Sequence, residues 1–370
     1  LQLPFTSALT YGLRVTTASI DSLNQLHPRI PVTLTLIALN GLVFLAMLTQ
    51  GAGWWHVTTG LPLSWGANFG PATKDGEWWR LASAMFLHFG VFHLGMNMFS
   101  LWDGGRLVER MFGSARFILI YIAAGLTGNL LSLFAQGDQA VSAGASGAIF
   151  GVYGALITYL WLARHQQNAS EFKRLFWVAL IFSTLAIGLG FFIKGIDNYA
   201  HLGGLGGGLL MGLMLAPADV GSPRPAKSQT RALAGVGLML AITLMILFMP
   251  DPPYRWSEEQ RAQSEINAFK NTDIRLNAEW HHLVDRARQG ELTFDQLAGE
   301  IETQITIPYK NSFEQLSRLH LDPDAPSAPA LEALSHYTEN RAKTSRAIAR
   351  ALREKELARM RQSEGETERP

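Results

Sequence analysis

Gly144-Ala145-Ser146-Gly147-Ala148-Ile149-Phe150-Gly151-Val152-Tyr153-Gly154-Ala155-Leu156-Ile157-Thr158-Tyr159-Leu160-Trp161-Leu162-Ala163, residues 144–163, is an uncharged apolar run with a serine at its head. A membrane helix needs about 20 mostly apolar residues to cross a hydrocarbon core of roughly 30 Å, and this run has that length. Six further segments read the same way. The predicted spans are 32–50, 83–102, 116–135, 145–163, 175–193, 199–216 and 232–249. Composition agrees, with 48% hydrophobic and only 16% charged residues, against about 25% charged in an ordinary soluble domain. The second span carries His88, His93 and Asn97; the sixth opens Asn198-Tyr199-Ala200-His201 and is crowded with glycine. The first apolar run, Val32 to Leu48, is followed by Thr49-Gln50-Gly51 and not by a small-residue cleavage site, which predicts no cleavable signal peptide. A chain that opens on Leu1 is expected to lack its true start.

Lysine and arginine in short connections stay on the cytoplasmic side. One set of connections holds Arg14, Arg29, Arg106, Arg110, Arg116, Arg164, Lys173, Arg174, Arg224, Lys227 and Arg231; the alternate set holds only Lys74, Arg80 and Lys194. This asymmetry predicts a multi-pass protein of the plasma (inner) membrane with a cytoplasmic N-terminus and, after seven crossings, an external or periplasmic tail from Pro250 onward. The tail has 17 basic and 21 acidic residues and no long apolar run. Stretches near 256–288, 293–319 and 328–361 place Leu, Ile, Phe and Ala at helical spacing, broken by Gly290, the region of Pro308 and Asp322-Pro-Asp-Ala-Pro. From Glu339 to Arg361 the charge density fits a solvated helix or partial disorder. A net charge of +1 argues against a nucleic-acid partner. The absence of cysteine excludes disulfides, thiolate metal sites and a cysteine nucleophile. No metal and no cofactor is expected.

Ionisable groups within a span cost several kcal/mol by insertion scales, so each is a functional candidate. Spans two, four and six all run from outside to inside under this topology. His93 and Asn97 fall about ten to fourteen residues into span two, Ser146 at the start of span four and His201 near the start of span six, so one polar site in the outer half of the membrane can draw on all three. Small residues surround the Ser146 hydroxyl, and the free N–H groups of a helix N-terminus there can face an oxyanion. A serine hydroxyl needs a base, and His201 is the imidazole placed to supply one. Asp138 and Asp197 lie in outer loops and are read as peripheral, which leaves a dyad rather than a triad. His93 and Asn97, spaced i, i+4, share a helix face as side-chain donors. The bland reading of Gly144, Gly147, Gly204 and Gly208 is close helix packing; the same packing brings span six to span four.

These residues carry a resemblance. Trp79-Arg80 with Phe86-Leu87-His88, then His93-Leu94-Gly95-Met96-Asn97, then Gly144-Ala145-Ser146-Gly147, then Ala200-His201-Leu202-Gly203-Gly204 with Gly208, resemble the rhomboid family of intramembrane serine proteases over about residues 30–216. The resemblance implies an all-α membrane protein with a six-helix bundle; the seventh transmembrane helix and the helical soluble C-terminal region read from the residues lie beyond that shared core. Residues 1–30 are then an N-terminal cytoplasmic segment, 31–216 the core, 217–250 a linker and the seventh helix, and 251–370 the soluble region. It implies Ser146 as nucleophile, His201 as general base, and an oxyanion hole of His93, Asn97 and the Ser146 backbone N–H, with Gly144, Gly147, Phe150, Gly204 and Gly208 in support. Phe150 falls where family members often carry a tyrosine under the imidazole. Trp79 and Arg80 match a membrane-embedded first loop, though an interfacial anchor fits them equally. His88 reads as structural. Glu109, about 18 Å along the helix from Asn97, is too far for chemistry. His281-His282 reads as surface.

The expected activity is serine endoproteolysis of a transmembrane substrate near its outer end, where the helix must locally unwind before a carbonyl can be attacked. The expected partners are transmembrane substrates and the lipid bilayer, with an external protein partner for the C-terminal region. The alternative is a catalytically silent rhomboid-like protein that binds membrane clients in trafficking or quality control, but such relatives usually lack the Ser or the His. A solute transporter would predict inverted repeats or paired broken helices, and neither is visible.

Overall fold

The computed structural model describes residues 29–136, 138, 140–164, 169–217 and 228–367. Nearly all of the segment expected over 1–30 lies outside the described residues, as do Arg14, Arg224 and Lys227 of the charge asymmetry. The chain divides into two compact units, Leu1–Asp251 and Pro252–Pro370.

In the first unit α1 is Pro31–Thr49, started by a proline whose missing N–H is no loss in a first turn. A long loop with short helical turns follows, and then α2, Val91–Phe112. Next come α3 (Ser114–Gln136), α4 (Ser146–Leu162), α5 (Ala169–Gly190), α6 (Asn198–Leu215) and α7 (Ser228–Leu247). Within α2 the residues Leu101–Gly105 form a π turn. Among the described residues four segments are long and apolar enough to cross a membrane alone: Pro31–Thr49, Ser114–Gln136, Lys173–Gly190 and Ser228–Leu247. Leu233, Val236, Met239, Leu240, Leu244 and Leu247 leave α7 with apolar surface that no protein covers. Such surface needs lipid, and the protein is an integral membrane protein. With 17 residues, α4 is about 25 Å long, at the short end of what can cross a hydrocarbon core of roughly 30 Å.

One expected span is corrected. Residues 83–102 do not form a single helix: Arg80–Ser83 and Ala84–Phe86 end at an extended Leu87, and α2 begins only at Val91, with the two pieces bent by 94°. Gly90, at φ 147°, is the pivot, and a side chain there would overlap the Trp55 carbonyl. His93 and Asn97 are therefore in the first two turns of α2 and not ten to fourteen residues deep.

Backbone contact sets the core of this unit. A Cβ on Gly204 would overlap the Gly147 carbonyl, and one on Gly208 the Gly151 carbonyl, so α6 lies directly on α4. At the opposite end, buried Glu109 of α2 accepts from the backbone N–H groups of Val32 (3.0 Å) and Thr33 (2.8 Å) and from the hydroxyls of Thr33 (2.7 Å) and Ser114 (2.6 Å). It closes the first turn of α1 and holds the Ser114 hydroxyl at the head of α3.

The loop between α1 and α2 is pinned down. Arg80, read from sequence as architectural or as an interfacial anchor, is buried and donates to the carbonyls of Leu63 (2.7 Å) and Ala67 (3.1 Å), which decides for the former; Trp79 beside it is exposed. The two-residue strand β1 (Asn68–Phe69) pairs antiparallel with β2 (Val141–Ser142), tying this loop to the segment that enters α4.

The second unit is helical: α8 (Trp256–Arg288), α9 (Phe294–Ile301), a π turn Glu302–Thr306, α10 (Ile307–Ser317) and α11 (Ala328–Thr367). Phe269, Leu276, Leu283, Ile301, Ile305 and Tyr309 lie in its core. The helices match the periodic stretches within a few residues, with one difference. Pro308 does not break the chain, because the preceding π turn removes the clash a proline makes with the carbonyl four residues back. The charged stretch from Glu339 takes the first of its two expected forms, a helix. His281 and His282 are exposed.

Candidate active site

Three helices begin at one end of the membrane unit, and each brings one part of the site. α4 starts at Ser146 behind Ala145, which offers no side-chain cap, so the N–H groups of its first turn have no acceptor within the helix. α6 starts at Asn198 and carries His201 in its first turn. The two meet: His201 Nε2 is 2.9 Å from Ser146 Oγ. That is the distance at which an imidazole takes a hydroxyl proton, provided the ring hydrogen sits on Nδ1. Nδ1 is buried and has no hydrogen-bond partner among the described residues. The Phe150 ring lies under the imidazole, stacked with centroids 4.3 Å apart and planes 24° apart. One helical turn separates Phe150 from Ser146, so α4 supplies both the nucleophile and the platform that orients its partner.

α2 brings the donors. The Phe89 N–H reaches His93 Nδ1 at 3.3 Å, which puts the ring proton on Nε2. That edge faces Gly144: a Cβ built there would stand 2.9 Å from His93 Nε2 and 3.7 Å from Ser146 Oγ. The space a side chain would fill is the space beside the serine oxygen, and φ 140° at Gly144 excludes one. Asn97 is buried and uses one amide hydrogen on the His93 carbonyl at 2.8 Å, leaving a second. His88 is fully buried with its ring 5.0 Å from that of His93, edge to face.

Of the residues singled out from sequence, Ser146, His201, His93, Phe150, Gly144, Gly147 and Gly204 are brought together, with Asn97 adjoining through His93 and Gly208 one turn further along α6. Glu109 and His281-His282 are not. Asp138 forms an ion pair with Lys74 at 2.9 Å, between the segment after α3 and the first loop. Asp197 is more than peripheral: it caps α6 and binds two serines. The cap was legible as an Asp three residues ahead of Ala200 at the head of an apolar run. Among the described residues no group of three or more His, Cys, Asp or Glu side chains is placed to hold a metal ion.

A serine hydrogen-bonded to an imidazole, the N–H groups of the serine's own helix start, and a second imidazole edge beside it, all within an apolar helical bundle, form an arrangement with the chemistry to activate a hydroxyl for acyl transfer. The comparisons point the same way. Residues 75–218 match the profile described as Rhomboid domain. The chain is 37% identical over 235 residues to the rhomboid protease GluP of Bacillus subtilis (strain 168), a match taking in 63% of this chain and 44% of that protein. It is 32% identical over 200 residues to YdcA of the same organism, which carries the provisional name of rhomboid protease, with 54% of this chain and 94% of YdcA covered. It is 34% identical over 179 residues to Rhomboid-like protease 1 of Toxoplasma gondii, covering 48% of this chain and 60% of the relative. The chain belongs to the rhomboid family. It spans less than half the length of GluP.

Proposed function

We propose that this protein is an intramembrane serine endopeptidase that cuts transmembrane segments of other membrane proteins, with Ser146 and His201 as a catalytic dyad. The observation that carries the proposal is the 2.9 Å contact between Ser146 Oγ and His201 Nε2. Ser146 Oγ attacks the scissile carbonyl carbon while His201 Nε2 takes the hydroxyl proton. The resulting oxyanion is held by the N–H groups at the head of α4, by His93 Nε2–H and by Asn97. His201 then gives its proton to the leaving amine as the C–N bond breaks. Water, deprotonated by His201, adds to the acyl ester, and Ser146 leaves with the proton. The shortness of α4 favours a site sunk below the membrane face, reached by a locally unwound substrate. Nothing observed favours the client-binding alternative.

The charge asymmetry supports a plasma-membrane topology with the N-terminus cytoplasmic, the Ser146 end facing outward and the C-terminal unit outside, where it can meet an external protein partner. The test is reconstitution into vesicles with a panel of single-span reporters. Wild type is expected to release cut reporter, and Ser146→Ala and His201→Ala to lose at least about 10³-fold in kcat with the helical fold intact. Cleavage persisting in both variants overturns the dyad. In oriented vesicles a protease added outside should remove the tail after Pro250; a protected tail reverses the topology.

A further inference from the structure

Asp197 takes no part in the proposed chemistry, yet it is bound to both halves of it. One carboxylate oxygen, Oδ2, accepts from the Ser132 hydroxyl near the end of α3 (2.5 Å) and from the Ser142 hydroxyl on β2; Oδ1 accepts from the N–H of Ala200 at 2.9 Å. Ser142 is four residues before Ser146, and Ala200 is the residue before His201. A single side chain therefore joins the strand that feeds the nucleophile to the first turn of the helix that carries the base.

Gly147 and Gly151 against Gly204 and Gly208 set how near α4 and α6 come, but glycine offers no knob to set how far one slides along the other. Hydrogen bonds from the Thr158 hydroxyl of α4 to the Leu209 carbonyl (3.1 Å) and from the Thr127 hydroxyl of α3 to the Gly203 carbonyl (3.2 Å) hold α6 further along its length, and Asp197 supplies the tie at the end that carries the dyad. A hydrogen bond between nucleophile and base tolerates only about 0.3 Å either way, and a displacement of about 1 Å costs about 10²-fold in rate. We propose that Asp197 is a positioning residue, which by bridging Ser142 and Ala200 fixes the register of α6 against the entry to α4 and holds His201 in reach of Ser146. Ser132 only steadies the carboxylate from a third side. The inference rests on the protease reading above.

The test uses the full chain in vesicles with a cleavable single-span reporter, comparing wild type, Ser146→Ala, Asp197→Asn, Ser142→Ala and Ser132→Ala for kcat, KM and melting temperature. Asparagine caps a helix about as well as aspartate, so Asp197→Asn keeps the Ala200 bond and weakens the arm to Ser142. Asp197→Asn and Ser142→Ala are expected to lower kcat roughly 10- to 100-fold, the scale of a displacement up to 1 Å, with KM changed less than about twofold. Ser132→Ala loses a bond of the same kind but leaves the bridge, and is expected to keep kcat within about twofold while its melting temperature falls as much as that of Ser142→Ala. If Asp197→Asn does not fold, the two serine variants carry the test alone. Equal losses of kcat in Ser132→Ala and Ser142→Ala, or an undiminished kcat in Asp197→Asn beside a wild type that needs Ser146, overturn the inference and leave the protease reading standing. A wild type that cuts nothing, or a Ser146→Ala that cuts as well, overturns both.

Discussion

Glu109 and Asp197 are carboxylates at opposite ends of one membrane unit, and both close helix N-termini. Glu109 is fully buried and takes four donors from the starts of α1 and α3. Asp197 takes three, from α3, β2 and α6. The physical need is the same: the first N–H groups of a helix have no acceptor within it, and lipid offers none. What differs is what stands nearby. Around Glu109 there is only packing, so its bonds set stability. Around Asp197 stand Ser142 and Ala200, the approaches to Ser146 and His201, so the same type of bond also sets geometry.

That contrast breaks most visibly at Glu109. Replacing it with alanine strips four donors of their acceptor, at roughly 1 kcal/mol each, or about 4 kcal/mol in all. The melting temperature of Glu109→Ala is expected to fall by roughly 10 °C, while the molecules that remain folded keep their kcat, since the site lies about 18 Å away along α2. Collapse of kcat at an unchanged melting temperature would erase the distinction between the two ends. A smaller effect is expected at Gly204, where an added methyl meets the Gly147 backbone and neither helix can give way locally. Gly204→Ala should cost about 1–3 kcal/mol and lower kcat in step, because moving α6 off α4 moves His201 off Ser146. Gly206→Ala, with nothing within 4 Å of the new Cβ, is the control and should change neither. If the two alanines behave alike, glycine contact is not what sets the distance between the dyad helices.

Sequence made the site legible through combination. The i, i+4 spacings of Ser146 with Phe150 and of His93 with Asn97 are properties of single helices, and they hold. The apolar runs marked most helix positions, but not the bend: residues 83–102 look continuous, yet the chain is extended at Leu87 and turns at Gly90, after which the Val91 N–H bonds the Trp54 carbonyl, a tertiary contact with no local signature. The same limit hid the roles of the carboxylates. An N-cap at Asp197 can be read from its distance to Ala200, but its serines come from 55 and 65 positions away. Glu109 matched a family position while its partners on α1, 76 and 77 residues earlier, stayed invisible. Pairings at that separation depend on the assembled bundle and not on spacing.

A third carboxylate sharpens the comparison from outside the membrane unit. In the C-terminal unit Asp273 of α8 accepts from Tyr309 of α10 (2.7 Å) and Tyr337 of α11 (3.1 Å), and also from Asn277 on its own helix (3.0 Å). Its donors are all side chains, with no backbone N–H among them. Burial first, and then the hydrogen bond to Asp273, push the Tyr309 phenol above its ordinary range. The folded unit thus holds a proton that the unfolded chain gives up near pH 10, and the stability linked to it is present below that pH and is lost as pH rises beyond it. Tyr309→Phe is expected to cost only about 1 kcal/mol at neutral pH, since Tyr337 and Asn277 still serve Asp273, and to flatten the loss of stability above pH 10. Calorimetry of the full chain, following the transition of the C-terminal unit from pH 7 to 11, measures both effects. A decline in Tyr309→Phe as steep as in wild type would show that Asp273 is organised by its other donors, and that side-chain donors, unlike helix starts, can be exchanged without consequence.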